Sequence, residues 1–195
     1  MFSVPKSLAF LLAACSMIGP FSANTYMPGL TAIGQEFSVS DVLTYQTLST
    51  YLLAFAFSSL FIGAVSDAWG RKKVMMLGLL LYAASCALAA LSTNYTTFLL
   101  ARVLMGLFAS GGAVLAMAIT RDLYDDIRAQ ELTSLIAIIF ALAPAFSPII
   151  GGWIIVGLGW RSVFWFLMGL AVFLSLMCYF FLKETHPTEL RTPFR

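Results

Sequence analysis

Six long apolar runs limit the possible folds of this chain more than any other feature. They span residues 7–28, 42–65, 74–92, 97–120, 133–156 and 163–182. About 20 mainly apolar residues are needed for a helix to cross a bilayer, and lipid offers no water to hydrogen-bond with an exposed backbone. The composition, 61% hydrophobic and 10% charged, is outside the usual range of soluble domains. We therefore predict an all-α membrane protein with six transmembrane helices.

Two segments follow from these runs. Residues 1–183 are predicted to form the transmembrane bundle, and residues 184–195 a cytoplasmic tail or the start of a linker, because Pro187 and Pro193 interrupt that stretch. The single Lys6 before the first run could also mark a secretory signal. Because no clear small-residue cleavage site follows and five more spans do, the first run is interpreted as a retained helix.

Several classes of function are disfavoured by the charge and the cysteines. The net charge is only +2 and the basic residues are spread over several loops, so nucleic acid is not an expected partner. Cys15, Cys86 and Cys178 each lie inside an apolar run, which indicates buried reduced thiols and predicts neither disulfides nor a metal site. No nucleophile with a base and no phosphate-binding loop is evident, so we expect no enzyme activity and no cofactor.

The loops differ in basic charge, and this difference predicts the orientation. Lys and Arg resist translocation, so loops rich in them stay in the cytoplasm. Arg161 is the only basic residue on one side, and the loops at 29–41 and 93–96 have none. The other side carries the remaining basic loop residues: Lys6, Arg71, Lys72, Lys73, Arg121, Arg128, Lys183, Arg191 and Arg195. Both termini are therefore predicted to be cytoplasmic, in a multi-pass protein of the cytoplasmic (inner) membrane.

Arg102 is the only fully charged residue inside a predicted span. Such a group is costly, by roughly 2.5–3.5 kcal/mol on insertion scales, and is a functional candidate for that reason. The alternative is that Arg102 lies near enough to the outer end to extend to the lipid headgroups. Small residues follow it, including Gly106 and Gly112, and they allow another helix to approach closely. This favours an arginine that faces protein or water.

Two further segments have unusual composition. Pro144 and Pro148 lie four residues apart in the fifth run, ahead of Gly151 and Gly152. Each proline removes a backbone donor, so this helix is predicted to be bent or locally broken, with a packing kink and a gating role equally open. The paired glycines predict a close-contact surface.

The segment 63–73 is predicted to be a tight turn at the membrane surface in which Asp67 meets Arg71. A loop that only sets orientation would account for Lys72 and Lys73. It does not account for Gly63, Gly70 or an acid among the cations.

The pattern Gly63-x-x-x-Asp67-x-x-Gly70-Arg71-Lys72-Lys73 resembles the signature loop between helices two and three of the major facilitator superfamily. Arg102 with Gly106 resembles the fourth-helix motif of its drug:proton antiporters, although Met105 stands where Gln is frequent. The segment 143–152 resembles the fifth-helix antiporter motif, with Ser147 in place of the usual small residue. Further likenesses point to the bicyclomycin-resistance (Bcr/CflA) branch: Tyr26-Met27-Pro28, Arg121-Asp122, Trp160-Arg161 and Glu184-Thr185.

The resemblance implies one six-helix half of a twelve-helix transporter, arranged as a 3+3 inverted repeat. It implies export of small hydrophobic or amphipathic drug-like molecules by alternating access, driven by a proton gradient. Asn24, Tyr26 and Arg102 would line the substrate and proton pathway, and Asn24 falls where relatives often have an Asp. Gly63, Asp67, Gly70 and Arg71 would form a conformational latch against a second bundle. Pro144, Pro148, Gly151 and Gly152 would shape the antiporter helix.

Two other functions remain open from the sequence. One is a non-transporting membrane protein, either a regulatory subunit or an inactive remnant. The other is a small transporter that dimerises and uses a symmetric interface in place of a second bundle.

Overall fold

A computed structural model describes residues 6–124 and 126–185, and it is helical through most of this length. We number the α-helices in chain order. Their bounds are α1 Lys6–Thr25, α2 Leu30–Phe37, α3 Asp41–Trp69, α4 Arg71–Ala90, α5 Tyr95–Leu123, α6 Asp126–Leu158 and α7 Arg161–Phe181. No strand occurs in the described ranges.

Six helices long and apolar enough to cross a membrane are found in this part of the chain, which confirms the predicted fold class. They are α1 with α2 as one span, followed by α3 to α7. The predicted boundaries were too short for several of them, because α3 has 29 residues and α6 has 33. At about 1.5 Å per residue both exceed the roughly 30 Å hydrocarbon core, so their polar ends continue as helix beyond the apolar runs.

The prediction of a plain loop at residues 29–41 was wrong. A short 3-10 turn at Met27–Gly29 leads directly into α2. Helix α2 buries Leu30 and Ile33 on one face, so even this polar stretch has an apolar side that packs on the bundle. Ser38 ends the helix with φ at 53°, and α3 starts three residues later.

The tight turn predicted within residues 63–73 is present but shorter than those bounds. Helix α3 runs to Trp69 and α4 begins at Arg71, so Gly70 alone makes the reversal. Its φ of 100° lies in a region that side chains with a Cβ rarely adopt, which explains the glycine. The result is two helix ends that meet at one residue, with Asp67 and Arg71 on either side of it.

The spans pack in a pattern that repeats between the first three and the last three. The middle helix of each set packs most extensively on the first helix of the other set: α3 on α5, and α6 on α1. The third members, α4 and α7, pack on each other. Two sets related by a two-fold axis would pack in this reciprocal way, so the packing agrees with the predicted 3+3 arrangement.

Glycines permit the closest of these contacts. A Cβ on Gly106 of α5 would overlap the backbone carbonyl of Tyr51 in α3, and one on Gly151 of α6 would overlap the carbonyl of Thr25 in α1. The α3–α5 contact and the α1–α6 contact, which correspond to each other in the two sets, thus both depend on a glycine.

Candidate substrate pathway and helix-end clusters

The Arg102 side chain is fully buried in the middle of the bundle, with 0% exposure. Its guanidinium carbon lies 4.0 Å from the centre of the Tyr26 ring and 4.4 Å from that of Tyr51. Nη1 lies 4.0 Å from the sulfur of Met105, while Nε and Nη2 have no hydrogen-bond partner in the described residues. The alternative in which Arg102 extends to the headgroups is therefore wrong.

The two tyrosines that enclose Arg102 are themselves fixed by hydrogen bonds. The Tyr26 hydroxyl lies 3.0 Å from Thr47 Oγ1, and the Tyr51 hydroxyl donates to the Gly19 carbonyl at 2.8 Å. These bonds join α1 and the residue directly after it to α3. Because aromatic faces are partly negative, the two rings stabilise the cation in a region where a carboxylate would otherwise be expected.

A pocket of about 220 Å³ opens beside this arrangement, between α1, α3 and α6. Asn24, Tyr51 and Phe140 are among its lining residues. The Asn24 side chain is half-buried and donates from Nδ2 to the Pro20 carbonyl at 2.8 Å, a bond that does not use its side-chain oxygen. Tyr51 thus contacts the buried guanidinium of Arg102 and also lines the pocket. The sequence pattern pointed to Arg102, Asn24 and Tyr26 but gave no reason to select Tyr51.

Pro144 and Pro148 both lie inside α6, which continues from Asp126 to Leu158. Of the two predicted forms, a break is therefore excluded, and a bend stays a prediction. The neighbouring glycines differ from each other. Gly151 is buried against Thr25, whereas no described residue lies within 4 Å of a Cβ built on Gly152. The prediction of a close-contact surface is therefore confirmed for Gly151 and stays a prediction for Gly152.

Arg71 forms the centre of a cluster at the end of the bundle where α3 meets α4, which we call the latch end. It pairs with Asp67 of α3 and, at 3.1 Å from Nε, with Asp122 of α5. Its Nη1 also donates to Ser66 Oγ. The predicted meeting of Asp67 and Arg71 is confirmed, and Asp122 is an additional partner that lies 51 residues away in the sequence.

Residues after α7 complete the latch end. The backbone N–H of Arg71 donates to Glu184 Oε1 at 2.9 Å, and Thr185 Oγ1 donates to Asp122 Oδ2 at 3.3 Å. Lys72 Nζ donates to the Tyr179 carbonyl at 2.8 Å, so it does more than set orientation. Gly63 makes only an ordinary contact with Val114, 4.0 Å from a built Cβ. Residues 186–195, which hold most of the predicted tail, lie outside the described residues.

The opposite end carries a cluster that the sequence patterns did not reveal, which we call the Trp160 end. Arg161 pairs with Glu36 of α2 and donates to the carbonyls of Ala90 and Ser92 at the end of α4. Trp160 Nε1 donates to the same Glu36 at 2.8 Å. Beneath these bonds the Trp160 ring packs against aromatic rings from three helices: Phe37, Phe98 and Phe164. The only signal in the sequence was the Trp-Arg pair before the sixth span.

Comparison with known proteins identifies the family. The model of the Major Facilitator Superfamily matches residues 12–195. The chain belongs to the Major Facilitator Superfamily. It is 37% identical over 189 residues to the uncharacterized MFS-type transporter YdgK of Bacillus subtilis, a match that covers 96% of this chain and 47% of the relative. It is 30% identical to a bicyclomycin resistance protein homolog of Haemophilus influenzae, over 94% of this chain and 46% of that protein.

Solved structures of the superfamily agree in fold. A D-xylose–proton symporter superposes with a TM-score of 0.81 at 14% identity, over 97% of this chain and 51% of the symporter. The chain spans about half the length of the curated relatives it matches. The predicted superfamily and the predicted six-helix half of its fold are confirmed, and the chain is a multi-pass membrane protein.

Proposed function

We propose that this chain is one six-helix bundle of a drug exporter of the cytoplasmic membrane, with both termini in the cytoplasm. In this proposal the pathway runs past Asn24, Tyr26 and Arg102, and a second bundle, in the same or another chain, completes it. The observation that supports it best is Arg102: a fully buried cation held between two tyrosine rings, one of which lines a pocket. The relative named for bicyclomycin resistance supports a drug-like substrate.

A buried charge without a carboxylate partner is expensive to keep, so a role in transport is the simplest reason for it. Tyr51, which contacts Arg102, lines the pocket, and the other lining residues include the apolar side chains of Leu52, Phe55 and Phe140. A mainly apolar pocket with one amide and one nearby cation suits an amphipathic molecule that carries a polar group. Rocking of the two bundles about this site would give alternating access.

Proton coupling is part of the proposal, and the chain restricts how it would work. The chain has nine acids. Those that the structure describes all lie near or beyond a helix end: Glu36, Asp41, Asp67, Asp122, Asp126, Glu131 and Glu184. A coupling proton near the pocket would therefore be carried by an acid of the second bundle, with which the charge of Arg102 would interact.

The test is to co-express this chain with the C-terminal half of a full-length relative and to measure export of a fluorescent dye from cells. Export is expected from the pair and not from either half alone. Arg102→Leu should abolish it, because leucine supplies neither the charge nor the hydrogen-bond donors. Arg121→Leu is the matched control, since Arg121 belongs to the same helix but is exposed.

Three other results would contradict the proposal. Export by the chain alone that is lost on Arg102→Leu would indicate a transporter that dimerises. No export by the pair, although both halves reach the membrane and co-purify, would favour a non-transporting protein. Unchanged export and unchanged pH dependence in Arg102→Leu would remove Arg102 from the mechanism.

A further inference from the structure

Two buried thiols from opposite ends of the chain touch inside the bundle. Cys15 of α1 and Cys178 of α7 are both 0% exposed, and their sulfur atoms are 3.7 Å apart. They are 163 residues apart in the sequence, so the spacing of the cysteines gave no sign of the pair. The third cysteine, Cys86 of α4, is also buried and free. Neither Cys15 nor Cys178 takes part in the pathway or in the two helix-end clusters.

We propose that Cys15 and Cys178 form a two-sulfur binding site for a soft, linearly coordinating divalent cation, of which Hg²⁺ is the clearest example. Thiolates select soft cations over hard ones. Zinc requires four ligands in a tetrahedron, and no group of three or more His, Cys, Asp or Glu that could hold a metal occurs in the described part of the chain. A cation that binds two sulfur ligands in a linear arrangement needs no third or fourth ligand.

The separation of the sulfurs suits a bridging metal better than a disulfide. With metal–sulfur bonds of about 2.3 Å, as in zinc–thiolate sites, a linear bridge places the sulfurs about 4.6 Å apart. The 3.7 Å pair reaches this by an outward movement of under 1 Å. A disulfide needs about 2.05 Å, which is a larger inward movement of two helices whose side chains are already packed together.

The charge of the product also favours a divalent ion. On binding, each thiol loses its proton to water, two S–H bonds break, two S–Hg bonds form, and no atom changes oxidation state. The bridged product is neutral, so it remains in the membrane interior without the cost of a buried net charge.

Cys178 lies about one turn from the end of α7, beside the Tyr179 carbonyl that Lys72 contacts, so the site is close to the surface at the latch end.

The chain itself offers a matched control. We expect the purified chain in detergent to retain one Hg²⁺ per molecule after desalting against about 10 μM of a monothiol. The second thiol of a preformed pair acts at an effective concentration of mM or more, so retention should exceed that of a single thiol about 100-fold. Cys15→Ser and Cys178→Ser should each lose the metal. Cys86→Ser, which removes a buried thiol outside the pair, should keep it.

X-ray absorption of the mercury in the unaltered chain provides a measurement that needs no variant. Two sulfur neighbours are expected in the natural chain and in Cys86→Ser. Metal binding should also raise the unfolding temperature of these two proteins, because the pair exists only in the folded state. The proposal is wrong if the monothiol removes the metal from the natural chain, if all three variants retain it equally, or if mercury shows a single protein sulfur.

Discussion

The two ends of the bundle are each joined by an arginine, but different forces hold them. At the latch end, the Arg71 side chain is only 11% exposed and has two carboxylate partners, Asp67 and Asp122. At the Trp160 end, the Arg161 side chain is 34% exposed and has one carboxylate partner, Glu36, which is 44% exposed. The Trp160 end has less buried charge than the latch end, but it has aromatic rings packed around Trp160, which is only 5% exposed.

Because of this difference, competing charges can weaken the contacts at the latch end but not those at the Trp160 end. Ion pairs near a membrane surface respond to competing charges, to salt and to a partner that offers its own ionic groups. Packed aromatic rings respond to none of these, and they separate only when the apolar surface between them is exposed. We therefore expect the latch end to be where a second bundle acts on this one, and the Trp160 end to stay closed within it.

Trp160→Ala tests the aromatic half of the comparison and should have the largest effect. It removes a ring that packs on Phe98 at 5.5 Å and on Phe164 at 6.0 Å, and it also removes the hydrogen bond to Glu36. Loss of a buried tryptophan typically costs about 4 kcal/mol. The free energy of unfolding, measured in mixed micelles, should fall by about that amount. Trp160→Phe should recover part of it, and equal losses in both variants would show that the ring packing is not what holds this end.

Arg71→Ala tests the ionic half and should come next. It leaves the carboxylates of Asp67 and Asp122 without their shared cation at a partly buried position. Removing one member of a buried pair costs 3–5 kcal/mol, and the partial exposure here lowers our expectation to about 2–3 kcal/mol. The same unfolding measurement checks it. Lys73→Ala is the control, because Lys73 is exposed in the same turn of α4. A loss below about 0.5 kcal/mol for Arg71→Ala would mean that water replaces the cluster.

The two ends also differ in how far the sequence predicted them. The contact of Asp67 with Arg71 was predictable because the residues are four apart and flank a glycine. The partners Asp122 and Glu184 come from α5 and from beyond α7, and no local pattern links them to Arg71. The six spans were predictable for a simpler reason, since an apolar run of that length has one stable conformation in a bilayer.

In the candidate pathway, too, the sequence predicted a residue but not its distant partners. An intramembrane arginine is identifiable from composition alone, so Arg102 was found. That it would lie between Tyr26 and Tyr51 depends on how the helices pack around α5, where Gly106 lets α5 approach the backbone of Tyr51. The helices extended beyond the apolar runs because backbone hydrogen bonding continues where hydropathy ends, and α2 was missed because eight residues of mixed polarity resemble a loop.

Arg161→Ala should have a smaller effect than either of the first two changes. It removes a pair with Glu36 that is partly open to water, together with donors to the carbonyls of Ala90 and Ser92. Exposed pairs contribute under about 1 kcal/mol, and the two carbonyls can bond to water instead, so the expected loss is about 1 kcal/mol. A chemical-denaturation series on Arg161→Ala and Arg161→Lys measures it. If Arg161→Ala matches Arg71→Ala, the two ends do not differ in the way we infer.

Glu36→Gln should have the smallest effect and gives the sharpest test of which force dominates. The amide still accepts a hydrogen bond from Trp160 Nε1, so the change removes the charge and leaves the shape nearly unaltered. With both partners partly exposed, the loss in unfolding free energy should be about 0.5 kcal/mol at low salt. It should vanish near 1 M salt, where the Debye length is about 3 Å. Thr31→Ala, an exposed change in the same helix, is the control and should show no salt dependence. A salt-independent loss in Glu36→Gln would mean that the carboxylate acts through hydrogen-bond geometry, and that charge contributes little to the Trp160 end.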